Sequence, residues 1–389
     1  MLGVRVCFIG GAQYKSPLDR TSEKKFRALI QIGEIYVIGF SPDAKLRHFK
    51  QHAQFYLLPR VQWGLFRYLL MLIFGQTIAV WCILRWGVHI LIAQSPYEGF
   101  AAACAKIIVR PLGKRVALVV ESHGDFEVSL FLQRRVFYPS VYRFLMRQSA
   151  LFALRHADVL RAVSNSTKEQ LEKWAPNKPI FQFVAWTDMD VFLEAGAKKK
   201  RNPNEKMIIY AGVLIPGKGV HFLLDAFGNI TSEGLSTKLW IIGNSENREY
   251  AEMLKGKVER LSLGNRVIFS DSLPQPVLAD LIAQAQVLVL PSLSEGLGRV
   301  IFEAMACETP VIGSAVGGIM EMIVDGENGF LIPSGDVDSL VDRLRWILKN
   351  PEKAYEMGKR AREFAEDFFS AKGYVENYRN VIEAAGKHI

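Results

Sequence analysis

Ser294-Glu-Gly-Leu-Gly-Arg-Val-Ile-Phe-Glu-Ala-Met-Ala-Cys307 follows shortly on the apolar run Val287–Pro291. The run reads as a buried strand, the glycines at 296 and 298 open a turn, and the apolar stretch beyond them predicts a helix starting near Gly298. Such a helix begins with amides that have no partner and with the positive end of its dipole, a ready receptor for a diphosphate. Glu295 stands just before it, and Glu303 lies eight residues further on. Glu303 is the one polar residue in Val-Ile-Phe-Glu-Ala-Met-Ala-Cys, so it is drawn into an apolar surrounding where a carboxylate without donors is costly. Two kinds of partner answer that cost: the vicinal hydroxyls of a ribose, or a neighbouring Lys or Arg.

Working outward, short apolar runs alternate with helix-like stretches along the whole chain. Strands are expected at 4–10, 34–40, 53–58, 89–94, 116–121 and 159–163, then at 207–214, 238–243, 266–269, 287–291, 310–313 and 329–332. This pattern predicts an α/β protein of two doubly wound, Rossmann-like domains facing a central cleft, with ligands beyond the carboxyl ends of the strands. The small, basic stretch Ala195-Gly-Ala-Lys-Lys-Lys-Arg-Asn-Pro-Asn204 reads as the linker. The expected division is 1–195, 196–365, and a C-terminal helix 366–389 packing back on the first domain. Pro310-Val-Ile-Gly-Ser-Ala-Val-Gly-Gly318 adds a strand and a glycine pair, which is either an ordinary turn or a place where backbone approaches a ligand. Tyr210-Ala-Gly-Val-Leu-Ile-Pro-Gly-Lys-Gly219 is a strand and a glycine-rich loop in which Lys218 can reach a phosphate or simply face solvent. It lacks the Gly-Lys-Ser/Thr ending of a P-loop. Together these features suit a nucleoside diphosphate attached to a group rich in hydroxyls.

With 389 residues, half of them apolar, the chain can bury large cores, which excludes a disordered or fibrous architecture. Cys7, Cys82, Cys104 and Cys307 are far apart in sequence, against both a disulfide scaffold and zinc-ligand spacing. The charge is uneven: residues 1–195 hold 25 basic against 14 acidic side chains, the remainder 23 against 25. A basic half attracts polyanions. No RNA-binding or zinc-finger signature accompanies it, so the expected partner is not a nucleic acid but a phosphorylated substrate or an anionic bilayer. Phe131–Arg147 mixes Arg134, Arg135, Arg143 and Arg147 with Phe131, Phe137, Tyr138, Tyr142 and Phe144, a composition that suits lipid headgroups or a solvated face over an ordinary core. The uncharged run Tyr68–Leu84 has three readings: a core helix, a helix lying in the membrane interface, or a span. The N-terminus does not read as a signal peptide. The expected location is cytoplasmic, with a peripheral position on the inner face of the membrane as its extension.

On the Glu-x7-Glu spacing of Glu295 and Glu303, the following Ala-Met-Ala, Pro310-Val-Ile, Gly317-Gly318 and the Gly212…Lys218-Gly loop, the chain resembles glycosyltransferases of the GT-B architecture, in the large retaining group called family 4. The resemblance implies that Glu303 binds the ribose hydroxyls of a UDP or GDP sugar and Glu295 the hydroxyls of its sugar. Lys218 and the backbone amides of Leu297, Gly298, Arg299 and Val300 would hold the diphosphate. Gly10 and Gly11, after the first strand, would approach the donor phosphate or the acceptor, and His123 in Glu121-Ser-His-Gly-Asp-Phe126 matches the family's active-site histidine. It implies no metal and no cofactor beyond the donor, a saccharide or lipid-linked acceptor, and synthesis of envelope polysaccharide or glycolipid. A sugar-nucleotide epimerase, a phosphorylase, and a non-catalytic nucleotide-sugar-binding subunit share the architecture. Three positions depart from the family pattern: Val213 replaces an arginine beside Gly212, with Arg299 expected to compensate; Gly243-Asn-Ser245 replaces Gly-Asp-Gly; and Trp186-Thr-Asp188 stands where Asn-Gly-Val-Asp is usual.

Overall fold

The computed structural model describes residues 3–61, 64–124, 139–198, 206–235, 237–245 and 247–389. Within these the chain packs as two units, one formed by residues up to 124 with 139–186 and 370–389, the other by 187–369.

The first unit holds β1 (Arg5–Gln13), β2 (Glu34–Phe40), β3 (Arg47–Gln51), β4 (Ala53–Leu58), β5 (Ile90–Ala93), β6 (Ala117–Ser122), β7 (Val159–Ala162) and β8 (Ile180–Gln182). They form one sheet in the order β3-β4-β2-β1-β5-β6-β7-β8. All neighbours are parallel except the β3/β4 edge pair. Runs such as Ala117-Leu-Val-Val120 are apolar without alternation and wholly buried, as strands covered on both faces must be. β3 and β8 were not expected. Arg47-His-Phe-Lys-Gln51 is polar and half-exposed because it is an edge strand, and β8 is only three residues long.

The second unit holds β9 (Met207–Ala211), β10 (Lys238–Ile242), β11 (Val267–Ser270), β12 (Val287–Leu290), β13 (Val311–Ser314) and β14 (Phe330–Ile332). Its sheet runs β11-β10-β9-β12-β13-β14 and is parallel throughout. Both sheets are doubly wound, and each has a point where the strand order reverses: between β1 and β5 in the first, between β9 and β12 in the second. Loops leaving adjacent strands at such a point diverge and leave a crevice.

The unit boundaries differ from the expected ones. Ala195–Ala197 is not linker but the end of a helix, Asp190–Ala197, that belongs to the second unit. The reason is packing: Gly196 lies against the backbone of Ala306 and Cys307, and the Cys307 thiol donates to the Phe192 carbonyl oxygen at 3.4 Å. Residues 199–204 of the expected linker lie outside the described residues. At the other end the helix Ala371–Gly386 is part of the first unit, where it buries Tyr374, Tyr378, Val381 and Ile382.

The stretch 68–84 lies in a helix that runs from Gly64 through a π-helical segment, Met71–Gly75, to Trp86. Met71, Ala79, Cys82 and Ile83 join the core that also holds Cys7, Tyr36 and Ile38. The opposite face is apolar as well, and exposed: Phe66, Ile73, Phe74, Trp81 and Leu84. By length and composition the segment Phe66–Trp86 could cross a bilayer, an 18-residue window within it having a mean hydropathy of 1.7, yet its inner face is built into the sheet's core.

Glycine is required where β10 ends. Gly243 has φ 148°, and a Cβ there would run into the Gly212 carbonyl oxygen. Gly256, inside the helix Arg248–Arg260, has open space around its Cβ position. Gly243→Ala is therefore expected to lower the melting temperature by several degrees, and Gly256→Ala to raise it slightly, by about 0.5–1 kcal/mol of helix propensity. Thermal unfolding of the two variants beside the parent checks both signs.

Candidate active site

In the second unit the reversal between β9 and β12 brings the two sequence segments of greatest interest together. β9 leads into the loop that carries Gly212, Val213 and Lys218, and β12 leads into Glu295 and Gly298. The loops are joined by a hydrogen bond from the Leu293 amide to the Gly217 carbonyl oxygen, 2.8 Å. Gly219 has φ 66° and packs against the Pro291 carbonyl oxygen, an approach any Cβ would block. The loop after β13 closes on the same place: Gly317, at φ 51°, lies directly on the Glu295 backbone. Lys218 Nζ donates to Glu295 Oε2, which also accepts from Ser292 Oγ at 3.3 Å. The ammonium and the carboxylate assigned separate roles in the sequence are thus one ion pair, each side chain about one-fifth exposed or less (20% and 14%).

The helix Arg299–Ala306 starts at Gly298, which has φ 77° and supplies no side-chain cap. Its first amides therefore keep their donor capacity. Leu297 and Gly298 are buried, Arg299 is exposed, and Gly318 opens the short helix after β13. Glu303 sits one turn into this helix, half-buried. Among the described residues its carboxyl makes no hydrogen bond and no ion pair, so the salt-bridge alternative has no support here. Burial raises its pKa above the usual carboxylate range, with the Arg299 charge pulling the other way. A half-buried acid without a partner is a group that waits for donors.

The departure at Gly243-Asn-Ser245 has a structural counterpart. Ser245 Oγ donates to the Leu214 carbonyl oxygen at 2.8 Å, and the Leu214 amide donates to the Asn244 carbonyl oxygen at 3.0 Å. A Gly-Asp-Gly sequence would lack that hydroxyl, and here it braces the loop after β9. Val213 is 53% exposed, and its carbonyl oxygen accepts from Tyr210 Oη at 2.9 Å.

In the first unit Gly10 and Gly11 lie inside β1, not after it, since the strand continues to Gln13 through an irregular register. They face the residues that follow β5. A Cβ on Gly10 would strike the Gln94 side chain, and one on Gly11 would lie 3.0 Å from Glu98 Oε1. The Ser95 hydroxyl donates to Glu98, whose pKa is raised by burial. An acid beside Gly11 suits a hydroxyl-bearing ligand better than a phosphate.

His123 follows β6, with its side chain 38% exposed, and its Nε2 lies 2.9 Å from Glu121 Oε2. Beneath it is a buried group that sequence reasoning missed. Glu121 Oε1 lies 2.9 Å from Arg161 Nη1 in a buried ion pair and accepts from Tyr378 Oη at 2.6 Å, and Arg161 Nη1 donates to that same Tyr378 oxygen at 3.1 Å. Arg161, on β7, also donates to the carbonyl oxygens of Phe183 and Val184 and lies 4.0 Å from the centre of the Phe183 ring. Burial would push Glu121 up, but the Arg161 charge and its hydrogen bonds win and hold it well below the carboxylate range. The available signal was a charge in each of two wholly apolar strands, Val-Val-Glu121 and Val-Leu-Arg161. Residues 131–138 of the aromatic–basic stretch, and Asp125 and Phe126 after His123, lie outside the described residues. Arg143, Phe144 and Arg147 are exposed on the helix Pro139–His156. Among the described residues no group of three His, Cys, Asp or Glu side chains is placed to hold a metal ion.

Comparison with known proteins adds the following. The family described as glycosyl transferases group 1 matches residues 192–364, and the one described as glycosyltransferase family 4 matches residues 27–181. The chain is 30% identical to N-acetyl-alpha-D-glucosaminyl L-malate synthase of Bacillus anthracis, over 72% of this chain and 71% of that protein. It is 27% identical to the GDP-mannose-dependent alpha-(1-6)-phosphatidylinositol monomannoside mannosyltransferase of Mycolicibacterium smegmatis, over 69% and 71%. Among solved structures, Anabaena HepE in complex with UDP-glucose aligns with a TM-score of 0.72 at 20% identity, over 98% of this chain and 99% of that one.

Glu303 gives a paired prediction. A raised carboxyl pKa in the folded state means that the folded protein holds the proton more tightly than the unfolded chain, so ionisation at neutral pH costs stability and the cost disappears as pH falls through that pKa. Glu303→Gln is expected to raise the melting temperature of the ligand-free protein at pH 7 while weakening binding of a nucleoside diphosphate about tenfold or more, through loss of charge-assisted hydrogen bonds. Melting curves with and without UDP or GDP, for parent and variant, check both halves.

Proposed function

The chain belongs to the group 1 glycosyl transferases and has their GT-B fold, and on that premise we propose that this enzyme moves a sugar from a nucleoside-diphosphate sugar to a hydroxyl of a saccharide or lipid-linked acceptor, with retention at the anomeric carbon and without a metal ion. The observation that carries the donor class is the Glu303 carboxyl, unpartnered among the described residues, on a helix whose N-terminus has no side-chain cap, next to loops bearing Lys218 and Glu295. Carboxylate for ribose, amides and ammonium for diphosphate, and a second carboxylate for sugar hydroxyls are the complement of one molecule. The relatives named above include a protein described as GDP-mannose-dependent and one solved with UDP-glucose, which agrees with that class.

In this mechanism the bond from the anomeric carbon to the phosphate oxygen breaks, and the negative charge that develops on the diphosphate is met by Lys218, Arg299 and the amides of Leu297–Val300. The acceptor hydroxyl enters from the face the phosphate leaves, and its proton passes to the departing phosphate oxygen. Glu295 is a poor candidate for a covalent nucleophile, because Lys218 and Ser292 already claim its Oε2. That favours front-face attack over a covalent intermediate, with Glu295 as a holder of sugar hydroxyls.

The first unit takes the acceptor and rests on an anionic bilayer on the cytoplasmic side. What supports this is the exposed apolar face of Phe66, Ile73, Phe74, Trp81 and Leu84, with Arg67 and Arg85 on the same helix and 25 basic against 14 acidic side chains over residues 1–195. The mycobacterial relative, described as acting on a phosphatidylinositol monomannoside, fits a lipid-linked acceptor.

Two measurements test the proposal. In a panel of UDP and GDP sugars, the donor gives the largest rise in melting temperature, and with acceptor present the products are a nucleoside diphosphate and a glycoside with the donor's anomeric configuration. Glu295→Gln is expected to cut that turnover about 100-fold or more. Inversion, or an epimerised nucleotide sugar as product, refutes the reading. Separately, the full-length protein should sediment with phosphatidylserine vesicles at low salt, and a Phe74→Ser, Trp81→Ser variant should stay largely in the supernatant. A parent protein that ignores those vesicles removes the membrane part.

A further inference from the structure

The hydrogen bonds under His123 fix more than its place. Glu121 is a carboxylate, so it can only accept. Its Oε1 is taken by Arg161 and Tyr378, and its Oε2 lies 2.9 Å from His123 Nε2. His123 Nε2 must therefore carry the proton in that bond. Around the pair stand Arg161 on β7, Tyr374 and Tyr378 on the C-terminal helix, and Lys25 on the helix Arg20–Leu29. Burial and the two cations work against a second proton on the ring, and only Glu121 favours it, so His123 sits on the neutral side of its ordinary range. A neutral imidazole that donates through Nε2 has one function left, a lone pair on Nδ1. Among the described residues nothing donates to that nitrogen.

We infer that Glu121, clamped by Arg161 and Tyr378, is a positioning residue that locks His123 in the Nε2–H tautomer and so leaves Nδ1 as a hydrogen-bond acceptor for a hydroxyl of the sugar substrate. The inference takes the sugar from the transferase reading above. The tautomer itself stands on the geometry alone. An accepting nitrogen repels phosphate oxygens and selects O–H groups, so this histidine reads sugar and not diphosphate. Arg161 matters because an unpaired Glu121 in the same apolar place would take up a proton. It could then donate, and the ring would be free to turn over or to change tautomer. Tyr378 brings the C-terminal helix into the same lock, 257 residues along the chain from Glu121.

The test is spectroscopic and needs neither donor nor acceptor. Full-length protein labelled with ¹⁵N at its seven histidines is titrated by long-range ¹H–¹⁵N correlation, with the His123 signals assigned by their loss in His123→Gln. The expected result near neutral pH is a protonated Nε2 and a bare Nδ1 for His123. In Glu121→Gln the tautomer preference is lost, and the midpoint of the His123 titration falls by about one pH unit or more. If that variant does not fold, because Arg161 is left buried without its counter-charge, the parent spectrum decides alone. A parent spectrum with the proton on Nδ1, or with both tautomers in exchange, overturns the inference. So does a Glu121→Gln protein that folds and keeps the parent's tautomer and midpoint. Since turnover plays no part in the readout, failure here and failure of the transferase reading are separate events.

Discussion

A strand in a parallel sheet has to leave at its carboxyl end and return by a crossover before the next strand can begin. That constraint organises both units of this chain. The loops with the most chemistry sit where a strand runs out: Gly212 to Lys218 after β9, Glu295 to Gly298 after β12, Gly317 and Gly318 after β13, and His123 after β6. The sequence order of these segments carries little meaning, whereas the lateral order of the strands carries a great deal. Because β9 and β12 are neighbours, residues 218 and 295 can form an ion pair. The glycines do the remaining work by letting one loop's backbone lie on another's, at Gly219 against Pro291 and Gly317 against Glu295.

Three acids in low-dielectric places show three answers to the same electrostatic problem. Glu121 is wholly buried and fully answered, by a guanidinium, a phenol and an imidazole, and stays ionised. Glu295 is answered by one ammonium and one hydroxyl and keeps some access to solvent. Glu303 has no partner for its carboxyl among the described residues, and burial raises its pKa. This is a graded series from structural to receptive. Burial makes Glu303 a cost to the stability of the ligand-free protein at neutral pH, and the ribose-binding role proposed above offsets that cost only when a ligand is present.

The fold was largely legible, because fully buried parallel strands write themselves as unbroken apolar runs and their loops as glycine. What escaped was whatever owed its form to a neighbour and not to its own residues. β3 is a polar ribbon that is a strand only because β4 lies beside it. Asp190–Ala197 reads as the approach to a linker until Ala306 and Cys307 are seen against Gly196. Gly10 and Gly11 were expected to end β1, and the register irregularity that carries the strand past them has no sequence signature. In the site, Glu303 and Glu295 announced themselves by being acids in conspicuous places. Arg161 and Tyr378 could not be linked to Glu121 by any local pattern, since the three lie on a strand, a neighbouring strand and a helix from the far end of the chain.

That last arrangement bears on how the protein is made. The first unit is discontinuous in sequence, with its final piece, residues 370–389, synthesised after the whole of the second unit. Until that helix emerges from the ribosome, a nascent first unit has its guanidinium and carboxylate in place but not the phenol that bridges them, and the surface later covered by Tyr374, Val381 and Ile382 lies open. The second unit, continuous from 187 to 369, can mature during translation, and the first is finished only once residues 370–389 have followed it.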